Sequence, residues 1–172
     1  FQSVMSRVSQ DGQYTKSPNE FMELLIDEGL LRTETDNGNT YVNYSFERIG
    51  GTLDDAVGEC YDKVARVVGI PYPGGPSIDK MAHVGNSTYK LPLPLNDDSY
   101  NFSFSGLKSA VINLSHNEEQ RGNELNKEDL ASSFQDVVVE IISKKVEKAI
   151  KERNIKYFIT AGGVAANKGI RE

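Results

Sequence analysis

The chain has 172 residues, enough for one domain or two small lobes around a stable core. Its 25 acidic and 19 basic residues leave a formal charge of -6. That balance argues against a broad polyanion-binding surface, because nonspecific nucleic-acid affinity comes from Lys and Arg neutralising phosphates. The single cysteine, Cys60, excludes an internal disulfide and fits a reducing cytoplasm. With no run of about eighteen apolar residues and no charged-then-apolar leader, neither a membrane span nor a signal peptide is expected.

In chain order, Ser17-Pro18-Asn19-Glu20 has the form of a helix start, and Phe21, Leu24, Leu25 and Leu30 supply an apolar face ending near Gly29 or Arg32. Asp36-Asn37-Gly38-Asn39 is a turn signal before a strand over 41–46. Residues 52–68 are expected to form a helix, with Val57, Tyr61, Val64 and Val68 as its apolar stripe and Asp55, Glu59 and Asp62 stacked on another face. Stacked like charges need an answer. One answer is internal, because Glu59 to Lys63 and Asp62 to Arg66 are both i to i+4 pairs of favourable orientation. Cys60 falls between apolar positions, as a buried thiol does rather than a nucleophile.

The run Pro73-Gly74-Gly75-Pro76 reads as a turn leading to a short helix that carries Asp79. Two longer helices follow, separated by a polar, acidic loop over 117–129. The second is expected to be capped by Asn126 and to bury Phe134, Val138, Ile141 and Ile142. Its Lys144, Lys145, Lys148, Lys151 and Arg153 would form a solvated basic face. Tyr157-Phe158-Ile159-Thr160 then reads as a short buried strand running into Ala161-Gly162-Gly163-Val164-Ala165-Ala166-Asn167, a tight turn opening a helix. No internal repeat is present.

A ligand gives the carboxylates a second answer. Asp62 and Asp79 frame the Pro-Gly-Gly-Pro turn, ionised carboxylates only accept, and glycine lets a ligand approach the main chain. The first free N–H groups of a helix opened by Gly162-Gly163 would favour a phosphate or acyl phosphate.

These segments, with Asn101-Phe102-Ser103-Phe104-Ser105-Gly106-Leu107-Lys108-Ser109-Ala110 and Ala131-Ser132-Ser133-Phe134-Gln135, resemble the tRNA N6-adenosine threonylcarbamoyltransferase family, once described as glycoproteases. The matching motifs, from 49–69 onward through Pro71-Tyr72-Pro73-Gly74-Gly75-Pro76, Ile78-Asp79-Lys80 and Gly162-Gly163-Val164-Ala165-Ala166-Asn167, stand in the family's order. The resemblance implies an α/β chain forming part of an actin-like, sugar-kinase and heat-shock-protein ATPase fold with a helix-rich middle. Its implied activity is transfer of the threonylcarbamoyl group from threonylcarbamoyl-AMP to N6 of adenosine 37 in tRNAs that read codons beginning with A.

By the same resemblance, Asp62, Gly75, Asp79, Gly162, Gly163 and Asn167 are nucleotide or substrate contacts, with Asp62 and Asp79 accepting from hydroxyls and Asn167 acting as a bidentate amide. ATP or threonylcarbamoyl-AMP is the implied ligand. tRNA and the partner proteins of the threonylcarbamoyladenosine synthesis complex are the implied partners, with an oligomer possible. Lys108 could reach a phosphate, though a plain surface lysine is the preferred reading.

Departures matter as much as the match. The family's divalent metal, iron, is held by a His-x-x-x-His pair and a C-terminal Asp, whereas this chain has only His83 and His116, more than thirty residues apart. Gly51 stands where the family usually has Glu, and Asn37-Gly38-Asn39-Thr40 only faintly echoes a family ligand loop. The expected organisation is therefore an atypical segment over 1–46, then a transferase-like region over 47–172 that stops before the metal-ligand segment. An incomplete copy of the enzyme, inactive alone, is the first reading; a non-catalytic nucleotide-binding scaffold that partners the transferase is the alternative. A protease has no support, since Ser105 and the two histidines lack nucleophile-base spacing.

Overall fold

In the computed structural model, residues 6–8, 23, 26–27, 32–43, 47–155 and 158–171 are described. The proposed helix start at Ser17 and the apolar positions Phe21, Leu24, Leu25 and Leu30 lie outside them. The elements are β1 (Ser6–Val8), β2 (Arg32–Asp36), β3 (Asn39–Asn43), α1 (Val57–Val67), α2 (Gly74–Ala82), α3 (Ser105–Gln120), α4 (Lys127–Arg153), β4 (Phe158–Thr160), a 3-10 turn (Gly163–Ala166) and α5 (Lys168–Arg171). The fold is mixed helix and strand, with the core in the helices.

Asn37 (φ 50°) and Gly38 (φ 80°) close a two-residue hairpin between β2 and β3, in which Asp36 pairs with Asn39 and Arg32 with Asn43. This starts the second strand at Asn39 rather than Tyr41 and adds β2, which the sequence reading missed; residues 44–46 of the expected strand lie outside the described residues. β1 and β4 pair antiparallel as a second two-stranded sheet.

α4 is the spine. Its 27 residues span about 40 Å at 1.5 Å per residue. Asn126 accepts a cap bond from the Asp129 N–H, Glu128 and Asp129 suit the positive N-terminal end, and Asn154 stops the helix in the left-handed region. The buried positions Leu130, Phe134, Val138, Ile141 and Lys145 recur at three- and four-residue steps, which is the helical period. α2 packs on α4 and on α1, and α1 packs on α3. Tyr61 meets Phe134 edge to face, with ring centroids 4.9 Å apart. Burial of Tyr61, Val64, Ile78, Leu107, Leu130, Phe134 and Val138 makes this junction the main source of hydrophobic stabilisation.

Several local expectations need correction. α1 starts at Val57, not near 52, because residues 52–54 are drawn into a bridge between Thr52 and Phe102 and into contacts with the start of α3. Asp55 therefore lies before the helix; Lys63 takes both Asp55 (2.6 Å) and Glu59 (2.9 Å). The loop over 117–129 shrinks to 121–126, because Glu118 holds Arg121 and Asn123 and extends α3 to Gln120. Pro-Gly-Gly-Pro is not a free turn: Pro73 caps α2 and the next three residues form its first turn. The strand before Gly162 is not buried, since Phe158 and Ile159 are 40% and 38% exposed on a sheet of two strands.

The basic face of α4 is also not free cation. Lys144 pairs with Glu140, Lys148 with Asp98, Lys151 with Glu147 and Arg153 with Glu47. Lys145 is 7% exposed and donates to the Asp97 carboxylate and to the carbonyls of Asp97 and Ser99. Among the described residues no helix is long and apolar enough to cross a membrane.

Candidate functional site

A cavity of about 530 Å3 opens where α1, α2 and the 3-10 turn converge, inside the roughly 300–1,000 Å3 range of small-molecule sites. Its lining includes Asp62 from α1, Gly75 and Asp79 from α2, and Gly163, Val164 and Asn167 from the last turn. Five of the six candidate residues, more than a hundred positions apart in sequence, thus share one cavity. Gly162 is not in the lining; its φ of 95° shapes the turn that carries Gly163 inward. Lys108 sits half-buried on α3, outside the lining.

Close approach, not only turn formation, explains the glycines. A Cβ on Gly74 would stand 2.3 Å from the Ala65 Cβ, so α1 and α2 meet at this distance only because Gly74 lacks a side chain. Gly58 plays a milder version of the same part, since its Cβ would lie 3.2 Å from Val164.

The carboxylates are held differently. Asp62 Oδ1 accepts from the Gly74 N–H at 2.8 Å and so caps α2 from the neighbouring helix, instead of pairing with Arg66. Asp79 Oδ2 accepts from the Lys168 N–H at 3.2 Å. Asp79 Oδ1 is buried and accepts from nothing among the described residues. His83 Nε2, at 3.7 Å, lies beyond hydrogen-bond range of it.

Asn167 is anchored at both ends. Its Oδ1 accepts from the Ile170 N–H at 3.0 Å, and its Nδ2 donates to Gln135 Oε1 (3.0 Å) and to the Tyr61 hydroxyl (3.3 Å). A free bidentate amide is therefore unavailable, because both amide hydrogens are spent inside the protein. Burial pushes the Tyr61 hydroxyl far above its usual range, and the Asp79 charge adds to this. Tyr61 stays a neutral phenol.

The anion-binding helix start is corrected as well. The segment after Gly162 is a four-residue 3-10 turn and the four-residue α5, and two of the α5 N–H groups are already given to Asp79 and Asn167. No Lys or Arg lines the cavity. Its side chains present oxygen acceptors, which suit hydroxyls and amines rather than phosphate.

Other candidate chemistry disperses. Ser105 Oγ donates to Asp54, His83 stands by Asp79, and His116 by Glu119 on the exposed side of α3, so no nucleophile-base pair forms among them. Cys60 is fully buried, its Sγ–H directed at the Phe104 carbonyl; burial, then the Asp55 and Asp54 charges, push its thiol up to about 12. Among the described residues no group of three His, Cys, Asp or Glu could hold a metal ion, so these residues do not fit a divalent metal.

Two residues were missed by sequence reasoning. Gln135 is 5% exposed and supports Asn167 from below. A polar residue on an otherwise apolar side of α4, in step with Ala131 and Val138, was the available signal. Asp54 was the other: its carboxylate accepts from Ser103, the Phe104 N–H and both donors of Ser105, fastening α1's approach to the start of α3. Burial opposes its ionisation, but these bonds outweigh it and hold the carboxyl down to about 2.

Comparison with known sequences supplies the family. The sequence profile for tRNA N6-adenosine threonylcarbamoyltransferase matches residues 32–172. The chain belongs to that family. The tRNA N6-adenosine threonylcarbamoyltransferase of Bacillus subtilis is 59% identical over 128 residues, covering 74% of this chain and 37% of the relative. Those of Bacillus cereus (54% over 148 residues, 83% and 43%) and Mesoplasma florum (58% over 127 residues, 73% and 40%) are similar. The chain thus spans about two fifths of the length of these threonylcarbamoyltransferases.

Proposed function

We propose that this chain forms one wall of the donor-nucleotide site of a threonylcarbamoyltransferase, within an enzyme that acylates N6 of adenosine 37 in tRNA from threonylcarbamoyl-AMP. The observation that carries this is the convergence of Asp62, Gly75, Asp79, Gly163 and Asn167 on one cavity, where the buried Asp79 Oδ1 has no hydrogen-bond donor among the described residues. A buried carboxylate oxygen left unpaired costs free energy that a ligand hydroxyl recovers on binding. In this reading Asp62 and Asp79 accept from the sugar hydroxyls, Gly75 and Gly163 admit the ligand against the backbone, Gly162 sets the turn, and Asn167 contributes one acceptor. These groups bind and orient the acyl adenylate; the carbamoyl carbon forms a bond to the adenosine N6, AMP leaves with the electron pair of the broken carbon–oxygen bond, and the proton lost from N6 passes to the released phosphate or to water.

The same proposal takes the chain as part of an actin-like ATPase fold, with the four-helix core in one lobe and 47–172 as the transferase-like region after an atypical 1–46. It works in the cytoplasm beside partner proteins of the synthesis complex. No step is assigned to the family's metal, whose ligands these residues do not provide.

The test is calorimetric titration of ATP and of adenosine into the chain, with and without divalent metal, beside an Asp62→Ala, Asp79→Ala double variant. Metal-independent binding that the double variant loses supports the nucleotide wall. A folded wild-type chain that binds neither ligand overturns it in favour of a scaffold.

A further inference from the structure

We infer that Gln135 is a positioning residue that holds the Asn167 amide by its nitrogen, so that the Asn167 side chain accepts hydrogen bonds from a ligand and never donates them. The inference rests on the nucleotide-site reading and adds which group the ligand must offer to Asn167.

The argument is one of donor and acceptor directions. The Ile170 N–H can only donate, so the Asn167 atom that meets it at 3.0 Å is the oxygen. The other end of that amide is then Nδ2, with two hydrogens. One goes to Gln135 at 3.0 Å, which obliges Gln135 to turn its own oxygen, Oε1, toward Asn167. Tyr61 completes the ring: its hydroxyl accepts from Nδ2 at 3.3 Å and donates to the same Oε1 at 3.4 Å. Gln135 is therefore the one acceptor shared by both neighbours.

Packing keeps Gln135 in that state. It is 5% exposed, on the helix that forms the spine of the core. Its Nε2 lies where a Cβ on Gly169 would come within 2.4 Å, so the α5 backbone closes over the amide only because residue 169 is glycine. Asn167 consequently has a single unspent group, the second lone pair of Oδ1. Among the polar side chains of an otherwise apolar lining, Asp62, Asp79 and Asn167 are thus left as acceptors, and the Tyr61 hydroxyl hydrogen is spent on Gln135. The ligand class selected is one that brings donors, such as sugar hydroxyls or an amino group. A phosphate oxygen at Asn167 would face another lone pair.

The test uses the full chain and two readouts. Nitrogen-15 NMR of the free chain reports the Asn167 side-chain amide, which in the wild type gives two dispersed, slowly exchanging protons. Gln135→Met keeps the volume and removes the acceptor; Gln135→Asn keeps the polarity and withdraws it by one methylene, covering the case in which the Met variant does not fold. Either is expected to collapse the Asn167 pair toward the free-amide position and to weaken adenosine binding about tenfold, the effect of one buried hydrogen bond. Gln135→Glu, which retains an Oε acceptor, is expected to restore both.

Unchanged Asn167 resonances in a folded Gln135→Met or Gln135→Asn chain overturn the inference, as does a Glu variant as impaired as the Met variant. A wild-type chain that binds no adenosine overturns the nucleotide site instead, and the free-chain resonances still decide the role of Gln135.

Discussion

Replacing Gly74 by Ala tests how closely the two helices that carry Asp62 and Asp79 are joined. The new Cβ would stand 2.3 Å from the Ala65 Cβ, 3.1 Å from the Asp62 Cα and 3.2 Å from Asp62 Oδ1. Carbon atoms settle at about 3.5–4.0 Å, so α1 and α2 must part by roughly 1 Å or more. Overpacking of this kind costs about 1–3 kcal/mol. Loss of the Gly74 N–H to Asp62 bond, a bond to a charged acceptor, adds about 1.5 kcal/mol or more. Better helix propensity returns about 1 kcal/mol. The expected net effect is destabilisation by about 1.5–3.5 kcal/mol, with the sum of these terms setting the range.

Gly106→Ala is the internal control, because a Cβ there meets nothing within 4 Å. It lies in the first turn of α3, and the same substitution should stabilise by about 0.5–1 kcal/mol. Urea unfolding of the three chains, fitted with a common slope, separates the cases. A Gly74→Ala midpoint at or above that of the wild type refutes the close-approach argument.

Asp54→Asn is expected to cost about 1 kcal/mol at neutral pH, discounted because the side chain is largely exposed. Since folding holds Asp54 at about 2 against an ordinary 3.8, its contribution is whole above pH 4 and vanishes as pH falls through 2; the midpoint difference between wild type and variant should follow that course. Lys145→Met takes the lysine donor from two carbonyls and from the Asp97 carboxylate, which keeps only Ser99, and is expected to cost about 2–3 kcal/mol, while Lys151→Met on the exposed side of α4 stays within about 0.5 kcal/mol. Thermal unfolding reads the first effect, and faster amide exchange over 96–100 should accompany it. Asp79→Asn replaces a buried carboxylate whose Oδ1 has no hydrogen-bond donor among the described residues, so stability is expected to hold or rise by about 1 kcal/mol while adenosine binding weakens about tenfold. Lost stability with full affinity would contradict the proposed role of Asp79.

The long elements were legible because their signals are local and repeated. α4 announces itself through the Asn126 cap and the spacing of Phe134, Val138 and Ile141, and the buried face of α1 through Tyr61, Val64 and Val68. What escaped was set by partners far along the chain. The start of α1 depends on Asp54 finding Ser103 and Ser105 about fifty residues later. The burial of Lys145 depends on the loop holding Asp97 and Ser99. Gly74 looked like a turn glycine, and its reason is the Ala65 side chain on the facing helix. In the candidate site, residue types suggested Asp62 and Asp79 and the family resemblance added Asn167, but neither showed that Asn167 would spend its donors on Gln135 and Tyr61. Hydrogen-bond direction is a property of the assembled network rather than of any motif.

That direction bears on how a nucleotide can sit. Seven cations, Lys63, Arg121, Lys144, Lys145, Lys148, Lys151 and Arg153, are engaged with carboxylates, and none lines the cavity. The wall that Asp62, Asp79 and Asn167 build rewards hydroxyl donors and repels negative charge. A nucleoside therefore gains from this wall through its sugar, whereas each added phosphate brings charge that the lining does not neutralise. For this chain, affinity should fall from adenosine to AMP to ATP, and the gap should narrow as salt screens the repulsion. The reverse order would place the phosphates, not the sugar, against Asp62 and Asp79, which ionised carboxylates cannot support.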